Sequence, residues 1–325
     1  MTTLTQTARS YRGEEDLAAL ADLINICAKV EQNHEGKSLS QLRHDFEAPF
    51  FNLQEDLRLW EDEQGKLIGY GGIWLTDSDR DFKFSIHPTA QDSDLGQQII
   101  NWAQKRIQRV AIANKLQVVP LLTFIDSQEA NRIALLERNG FVPTRYFFRM
   151  VRWLNEPMSE PQFPQGFQLY EAQLGKDDRA WVEMFNQTFI DHWNHHDMTL
   201  EQYQFYLNNP DFRPELHLVA VAPDGTFAAF CYCHIHQDNN FRNGSKNGWI
   251  HILGTRRGFR KRGLGRAILL SGLHRLKAAG METAKLGVDA DNPSGALGFY
   301  ESVGFSTQRT IIVYVKEIEP LDFLI

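Results

Sequence analysis

The densest run of chemically usable side chains is Arg256-Arg-Gly-Phe-Arg-Lys-Arg-Gly-Leu-Gly-Arg266, six cations within eleven residues. The chain as a whole is acidic, with 34 Lys plus Arg against 41 Asp plus Glu and a formal charge of −7. Such a chain repels polyanions and anionic lipid at long range, so any anion it binds must be captured by local charge. Gly263 and Gly265 fall where an amphipathic stripe begins, made of Leu264, Ile268, Leu269, Leu273 and Leu276. A helix start leaves about four amides unpaired and carries about half a positive charge, and glycines let phosphate oxygens approach those donors. The run reads as a phosphate cradle between a strand and a helix. Two common phosphate motifs fail on spacing: Leu264-Gly265 follows Gly263 where a Walker loop needs Lys-Ser/Thr, and Ile268 stands where a dinucleotide fingerprint needs its third glycine.

The elements that must place this loop follow from periodicity. In the C-terminal half it predicts a strand at 167–170, helices at 177–190 and 199–207, and strands at 216–222, 226–236 and 248–255. A helix over 263–279, a strand at 283–288, a helix over 293–303 with Asn292 as N-cap and closing strand material from Phe305 complete it. That pattern is mixed α/β. The same order of signals occurs in the N-terminal half: Gly65 and Gly225 each mark a turn between two strand-like runs, and Gly140-Phe141 and Gly304-Phe305 each end a helix-like run. Three prolines within Asn155–Gly166 exclude helix and inner strand, so the expected division is 1–154, a linker at 155–166, and 167–325. The three cysteines, Cys27, Cys231 and Cys233, are too sparse for a disulfide framework. With no apolar run of about 18 residues and no basic-then-apolar start, a cytoplasmic protein that engages no membrane is expected.

Arg260-x-x-Gly263-x-Gly265 resembles the R/Q-x-x-G-x-G/A pyrophosphate loop of the GNAT acetyltransferase superfamily. Val288–Phe305, with an Asn before a helix, a Tyr on it and Gly-Phe at its end, is similar to that superfamily's next motif. The doubled layout resembles its tandem members. The resemblance implies an α/β fold of two tandem GNAT-like domains, each a mixed, mostly antiparallel sheet flanked by helices with a splayed central strand pair. It also implies acetyl-CoA as co-substrate. On this reading Arg260, Lys261, Arg262, Gly263, Leu264, Gly265 and Arg266 hold the pyrophosphate, the backbone of Leu253, Gly254 and Thr255 pairs with the pantetheine arm, Asn292 lies near the cofactor, and Tyr300 meets the sulfur.

The chemistry so implied is direct attack of a neutral amine of a small molecule on the thioester. A leaving thiol of pKa about 8.5 benefits from an acid, which Tyr300 supplies, and an alkyl amine of pKa about 10.4 must first lose a proton at a cost of roughly 4.6 kcal/mol at neutral pH. Some family members place a carboxylate base on the strand before the loop; Trp249 occupies that position, which leaves His251, on the same strand face, as the candidate base. Asp191 and His192 fall in the region that lines the acceptor in the superfamily. Their neighbours His195, His196 and Asp197 lack the spacing of a metal set, so no metal is expected. On the run Cys231–His236, alternation puts both cysteines on one face and Tyr232, His234 and His236 on the other.

In the N-terminal copy Asp94 stands where the second has Gly263, and Leu136 where it has Tyr300. A carboxylate at that point opposes the phosphate, so only the second copy is expected to bind CoA and react. A non-catalytic CoA sensor and a peptide N-acetyltransferase remain alternatives to the small-molecule enzyme. Nucleic acid is not an expected partner, and monomer and homodimer stay open.

Overall fold

The computed structural model describes residues 6–31, 36–75, 80–191, 196–292 and 295–320. Two compact units divide the chain: residues 1–146 with 310–325, and residues 147–309. The chain order begins β1 (Thr7–Arg9), α1 (Glu14–Val30), α2 (Leu39–Phe46), β2 (Leu57–Glu61), β3 (Leu67–Leu75) and β4 (Arg80–Ile86). It continues with α3 (Leu95–Ala113), β5 (Val119–Asp126), α4 (Ala130–Arg138) and β6 (Val142–Trp153). The series then repeats as β7 (Gln168–Glu171), α5 (Asp178–Phe189), α6 (Leu200–Leu207), β8 (His217–Val221) and β9 (Phe227–His234). A helix with no counterpart among the described residues of the first copy follows, α7 (Gln237–Asn243), and then β10 (Asn247–Thr255), α8 (Leu264–Ala278), β11 (Thr283–Asp289), α9 (Ala296–Glu301) and β12 (Ser306–Ile318).

In the first unit β1 to β4 are antiparallel neighbours, β4 meets β5 in parallel at Asp81 and Leu122, and β5 pairs antiparallel with Ile311–Ile318 of β12. In the second, β7 to β10 are antiparallel, β10 meets β11 in parallel, and β11 pairs antiparallel with residues 147–153 of β6. These units differ from the contiguous halves 1–154 and 167–325 read from sequence. A strand belongs to the ladder that satisfies its amides and carbonyls, whatever its place in the chain. The proline-rich stretch at 155–166 therefore lies inside the second unit, after the strand that crosses into it.

Local chemistry explains why the elements start and stop where they do. Ser38 with Gln41 and Thr199 with Gln202 form the same capping box at α2 and α6, one in each copy. Helix α8 stops because Gly280 takes φ 82° and the Met281 amide reaches back to the Leu276 carbonyl at 3.1 Å. The same closure recurs at the two Gly-Phe sites. The Phe141 amide bonds Leu136 O, and the Phe305 amide bonds Tyr300 O, each at 3.1 Å, which makes Leu136 and Tyr300 equivalent positions. The helix expected over 293–303 is shorter, Ala296–Glu301, because its N-cap is Gly295 at φ 73°, a conformation no helix interior holds. Asn292 is thus not the cap; its amide bonds the Asp289 carbonyl at 3.2 Å. Helix α7 leaves no periodic signal in the sequence, because it buries no residue and so has no apolar stripe.

The second unit's sheet carries two cores. Cys231, Cys233, Leu264, Leu269 and Leu273 pack on the side of α8 and α9, whereas Trp181, Met184, Tyr203, Val219 and Phe230 pack on the side of α5 and α6. Each fully buried large apolar side chain contributes about 1.5–3 kcal/mol.

Candidate active site

Strands β10 and β11 pair at three residues only, Asn247–Trp249 against Thr283–Lys285, while β10 stays on β9 as far as Thr255. Past Trp249 the parallel ladder ends. The β10–β9 register shifts between Ile250 and Ile252, a bulge at His251, and a bulge adds local twist that carries one strand away from its neighbour. Its second effect is to break the alternation: Ile250 joins the core under α8, His251 contacts the rings of the opposite face, Ile252 joins that opposite face too, and Leu253 returns to the α8 side. The result is a strand edge over Ile252–Thr255 with no strand partner toward β11 among the described residues, a template for an extended chain. Gly254 sits where a Cβ would come within 2.5 Å of Thr188 Cγ2 and 2.8 Å of Phe230, so this edge can lie against α5 only without a side chain.

The loop from β10 to α8 turns on three left-handed residues, Gly258 at φ 89°, Lys261 at 62° and Gly263 at 85°. Space for a Cβ at Gly258 and Gly263 is open to 4 Å. Gly263 is the N-cap and offers no side chain to the helix. The first bond of α8 runs from the Ala267 amide to the Gly263 carbonyl at 3.1 Å, and among the described residues the amides of Leu264, Gly265 and Arg266 meet no acceptor. A bare helix start flanked by six cations has the donors and charge that could hold an anion.

Several of those cations are structural fasteners. Arg256 pairs with Glu183 at 2.6 Å and Arg257 with Asp191. Arg260 donates to Thr255 O at 3.2 Å and Thr188 O at 2.7 Å and lies 3.4 Å from Asp191, which ties the loop to the end of α5. Asp191, expected at the acceptor, is thus engaged by two loop arginines, whose hydrogen bonds hold its carboxyl below the usual range. Arg266 donates to Ser302 Oγ and O at 3.0 and 2.9 Å, fixing α9 against the start of α8. Arg262 lies 5.5 Å over the Phe259 ring, and Lys261 is exposed. His192 falls outside the described residues, as does Pro293.

Tyr300 is 9% exposed and packs with Phe299 and Phe305 on the α8 side of the sheet. Its hydroxyl has no hydrogen-bond partner among the described residues. Burial, and secondarily the nearby Cys231, raise its pKa, so the phenol stays protonated. His251 is exposed on the other face, so the two lie on opposite sides of the open β10 edge.

Around His251 the structure assembles a wall that sequence reasoning saw only in part. His251 stacks on His234 with centroids 4.4 Å apart and planes at 6°, and meets Tyr232 edge-on at 5.8 Å. Tyr232 contacts His217 at 5.0 Å, and His217 lies 5.2 Å from Trp181. His236 Nδ1 pairs with Asp211 Oδ2 at 2.6 Å. Trp181 Nε1, both His217 nitrogens, the Tyr232 hydroxyl and His234 Nε2 are buried and have no hydrogen-bond partner among the described residues. Burial lowers His217 to about 4 and, with the nearby His251, His236 and His217, lowers His234 to about 2. The alternation at Cys231–His236 was legible; His217 and Trp181 had no local signal. Among the described residues no group of three or more His, Cys, Asp or Glu is arranged to hold a metal ion. No described helix is long and apolar enough to cross a membrane.

The first unit treats the equivalent places differently. The N-cap of α3 is Asp94, Ser93 Oγ accepts the Leu95 amide at 3.2 Å, and Asp94 Oδ2 accepts Gln98 Nε2 at 3.1 Å, so one helix-start donor is already used and a carboxylate sits at the end. Beside the splay of β4 and β5, Arg132 of α4 donates to the Phe84 carbonyl.

Residues 179–305 match the model of the acetyltransferase (GNAT) family. A mycothiol acetyltransferase of Segniliparus rotundus is 30% identical over 184 residues, 56% of this chain and 68% of its own. The chain spans only 49–58% of the length of the first three curated relatives it matches, which bear the same name. A GCN5-related N-acetyltransferase structure from Sphaerobacter thermophilus superposes with TM-score 0.77 at 25% identity over 98% of both chains. A tandem GNAT protein from the clavulanic acid biosynthesis pathway superposes with TM-score 0.74 at 13% identity, covering 98% of this chain and all of that one.

Proposed function

The chain belongs to the acetyltransferase (GNAT) family, and on that footing we propose that it transfers acetyl from acetyl-CoA to the amine of a small molecule, with the second unit alone active. The observation that carries this is the joint presence, in that unit, of a helix start with unmatched amides and an open strand edge leading up to it. The pyrophosphate is held by the amides from Arg262 to Arg266 with Lys261 and Arg262 beside them, while Arg260 fastens the loop. The backbone of Leu253, Gly254 and Thr255 receives the pantetheine arm, and Asn292 lies near the cofactor at the far side of the splay. The name of the relatives, mycothiol acetyltransferase, favours a small-molecule acceptor over a protein.

Attack by the amine needs a neutral nitrogen, and His251 takes that proton from the exposed face. Tyr300, protonated and without a competing partner, donates to the departing thiolate. Asp191 acts on this reading through the two arginines of the loop. The first unit binds no CoA, because Asp94 and Ser93 occupy its helix start and Arg132 engages its β4 edge.

Calorimetry with CoA, followed by thiol release from acetyl-CoA over a panel of amines, tests this. One CoA per chain and amine-dependent release are expected. Failure to bind CoA sinks the reading, and tight binding with no release on any amine replaces it with a sensor.

A further inference from the structure

His251, the candidate base, is exposed on a strand edge at a bulge, where an imidazole takes its working orientation from the groups packed against it. One constraint on it is the ring beneath. His234 is 6% exposed, lies 4.4 Å from His251 with the planes only 6° apart, and touches Tyr232 edge-on at 4.4 Å. It is itself held edge-on by His236 at 5.6 Å, whose Nδ1 is anchored by Asp211. The groups acting on His234 are His251 from β10, His236 just past β9, and His217 from β8; none is a carboxylate, lysine or arginine. His234 Nε2 is buried and has no hydrogen-bond partner among the described residues. An orphaned buried nitrogen costs about 1–3 kcal/mol, so the position is occupied for something other than local stability.

We propose that His234 is a positioning residue for His251: a neutral imidazole plate that fixes the ring of the base at the open β10 edge. This rests on the acetyltransferase reading above. Because burial keeps His234 neutral down to acid pH, it does not carry the proton onward. Its flat face fixes the orientation of the ring above it and remains an attractive neighbour when that ring gains charge. In the transfer, one proton leaves the ammonium for His251, the nitrogen lone pair forms the C–N bond, and the C–S bond breaks with its pair going to sulfur. Tyr300 supplies the proton that sulfur receives. The second proton lost by nitrogen restores Tyr300, and the His251 imidazolium returns its own to solvent.

The test separates a plate from a hydrogen-bonding or relay group. His234→Ala lowers kcat of amine-dependent thiol release by about 10- to 100-fold, leaves KM for acetyl-CoA unchanged and alters the acid limb of the pH profile, which the base governs. His234→Phe, flat but without nitrogens, restores kcat to within about threefold of the native enzyme. Equal loss in both variants overturns the proposal, since the nitrogens then matter; equal retention overturns it too. The His251 ring-proton resonances give a readout independent of turnover. They are shifted upfield by the stacked ring in the native protein and in His234→Phe, and move to exposed-histidine positions in His234→Ala. Their absence from the shifted position in the native protein rejects the plate. Native protein without transferase activity on any amine, but with the shifted resonances, rejects the catalytic reading and keeps the stacking.

Discussion

Arg132 donates its Nη2 to the Phe84 carbonyl at 2.8 Å and lies 4.4 Å over the ring of the same residue, held there by Glu129 at 2.7 Å. Phe84 belongs to β4, the first copy's counterpart of β10, so in this copy a side chain of the protein uses a backbone acceptor on the strand that the second copy leaves open. Two differences therefore separate the copies, one at the strand and one at the helix start. Arg132→Ala alone is expected to leave CoA stoichiometry at one per chain, because Ser93 still takes the Leu95 amide and Asp94 still sets a carboxylate at the helix start. It removes a charge-assisted hydrogen bond worth about 1.5–3 kcal/mol. Calorimetry counts the sites and urea denaturation reads the stability; a second CoA in this variant contradicts the account.

Gly263→Asp copies the first unit's residue into the second. Gly263 is at φ 85°, where an L side chain costs about 1–2 kcal/mol, and the carboxylate offsets the favourable end of the helix by a further 0.3–1 kcal/mol or so. The strain is present with and without ligand and lowers stability, whereas the carboxylate should lower CoA affinity by about two- to fivefold, measured by titration. An unchanged Kd removes the helix start from the binding site.

Tyr300→Phe keeps the packing against Phe299 and Phe305 and removes only the hydroxyl. Thiol release is expected to drop by about 10²–10⁴, the usual yield of a positioned acid, with CoA affinity and melting temperature nearly unchanged. Full activity in this variant would show that sulfur takes its proton elsewhere.

Acid sensitivity should trace to the buried histidines. In the unfolded chain an imidazole takes a proton near pH 6.5, whereas burial holds His217 to about 4 in the fold. Between those values the unfolded state binds more protons, so stability is full above about pH 6.5 and declines as pH falls toward 4, by up to roughly 3 kcal/mol for this residue. His234 acts in the same direction. Denaturant midpoints measured from pH 7.5 to 4 should show this slope and show it flattened in His217→Phe; a slope unaltered by the substitution assigns the effect to other groups.

Gly304→Ala should be among the most damaging single changes. Gly304 has φ 90°, and an added Cβ would lie 1.8 Å from Arg152 Nη1, whose guanidinium bonds the Val303 and Pro157 carbonyls. A loss of more than about 2 kcal/mol is expected from strain plus displacement of that arginine. Retained stability would mean that Arg152 moves away without cost.

The amino-acid sequence by itself determined whatever depends on a few consecutive residues. The glycines around Gly263, the Asp94 that replaces it, the Gly-Phe helix ends and the equivalence of Tyr300 with Leu136 all follow from φ preferences and capping, which act within about five positions. So does the doubled order of elements, since each element carries its own periodicity. Tertiary structure alone decided three things. The last strand of each unit is written in the other half, because a ladder forms wherever amides and carbonyls are satisfied. Asp191 belongs to Arg257 and Arg260, a pairing made only when α5 packs on the loop. The wall of Trp181, His217, Tyr232, His234 and His251 comes from a helix and three strands whose registers, together with the bulge at His251, bring their rings to one face. Pairing register is set by the summed packing of a sheet and leaves no mark in any short stretch of residues.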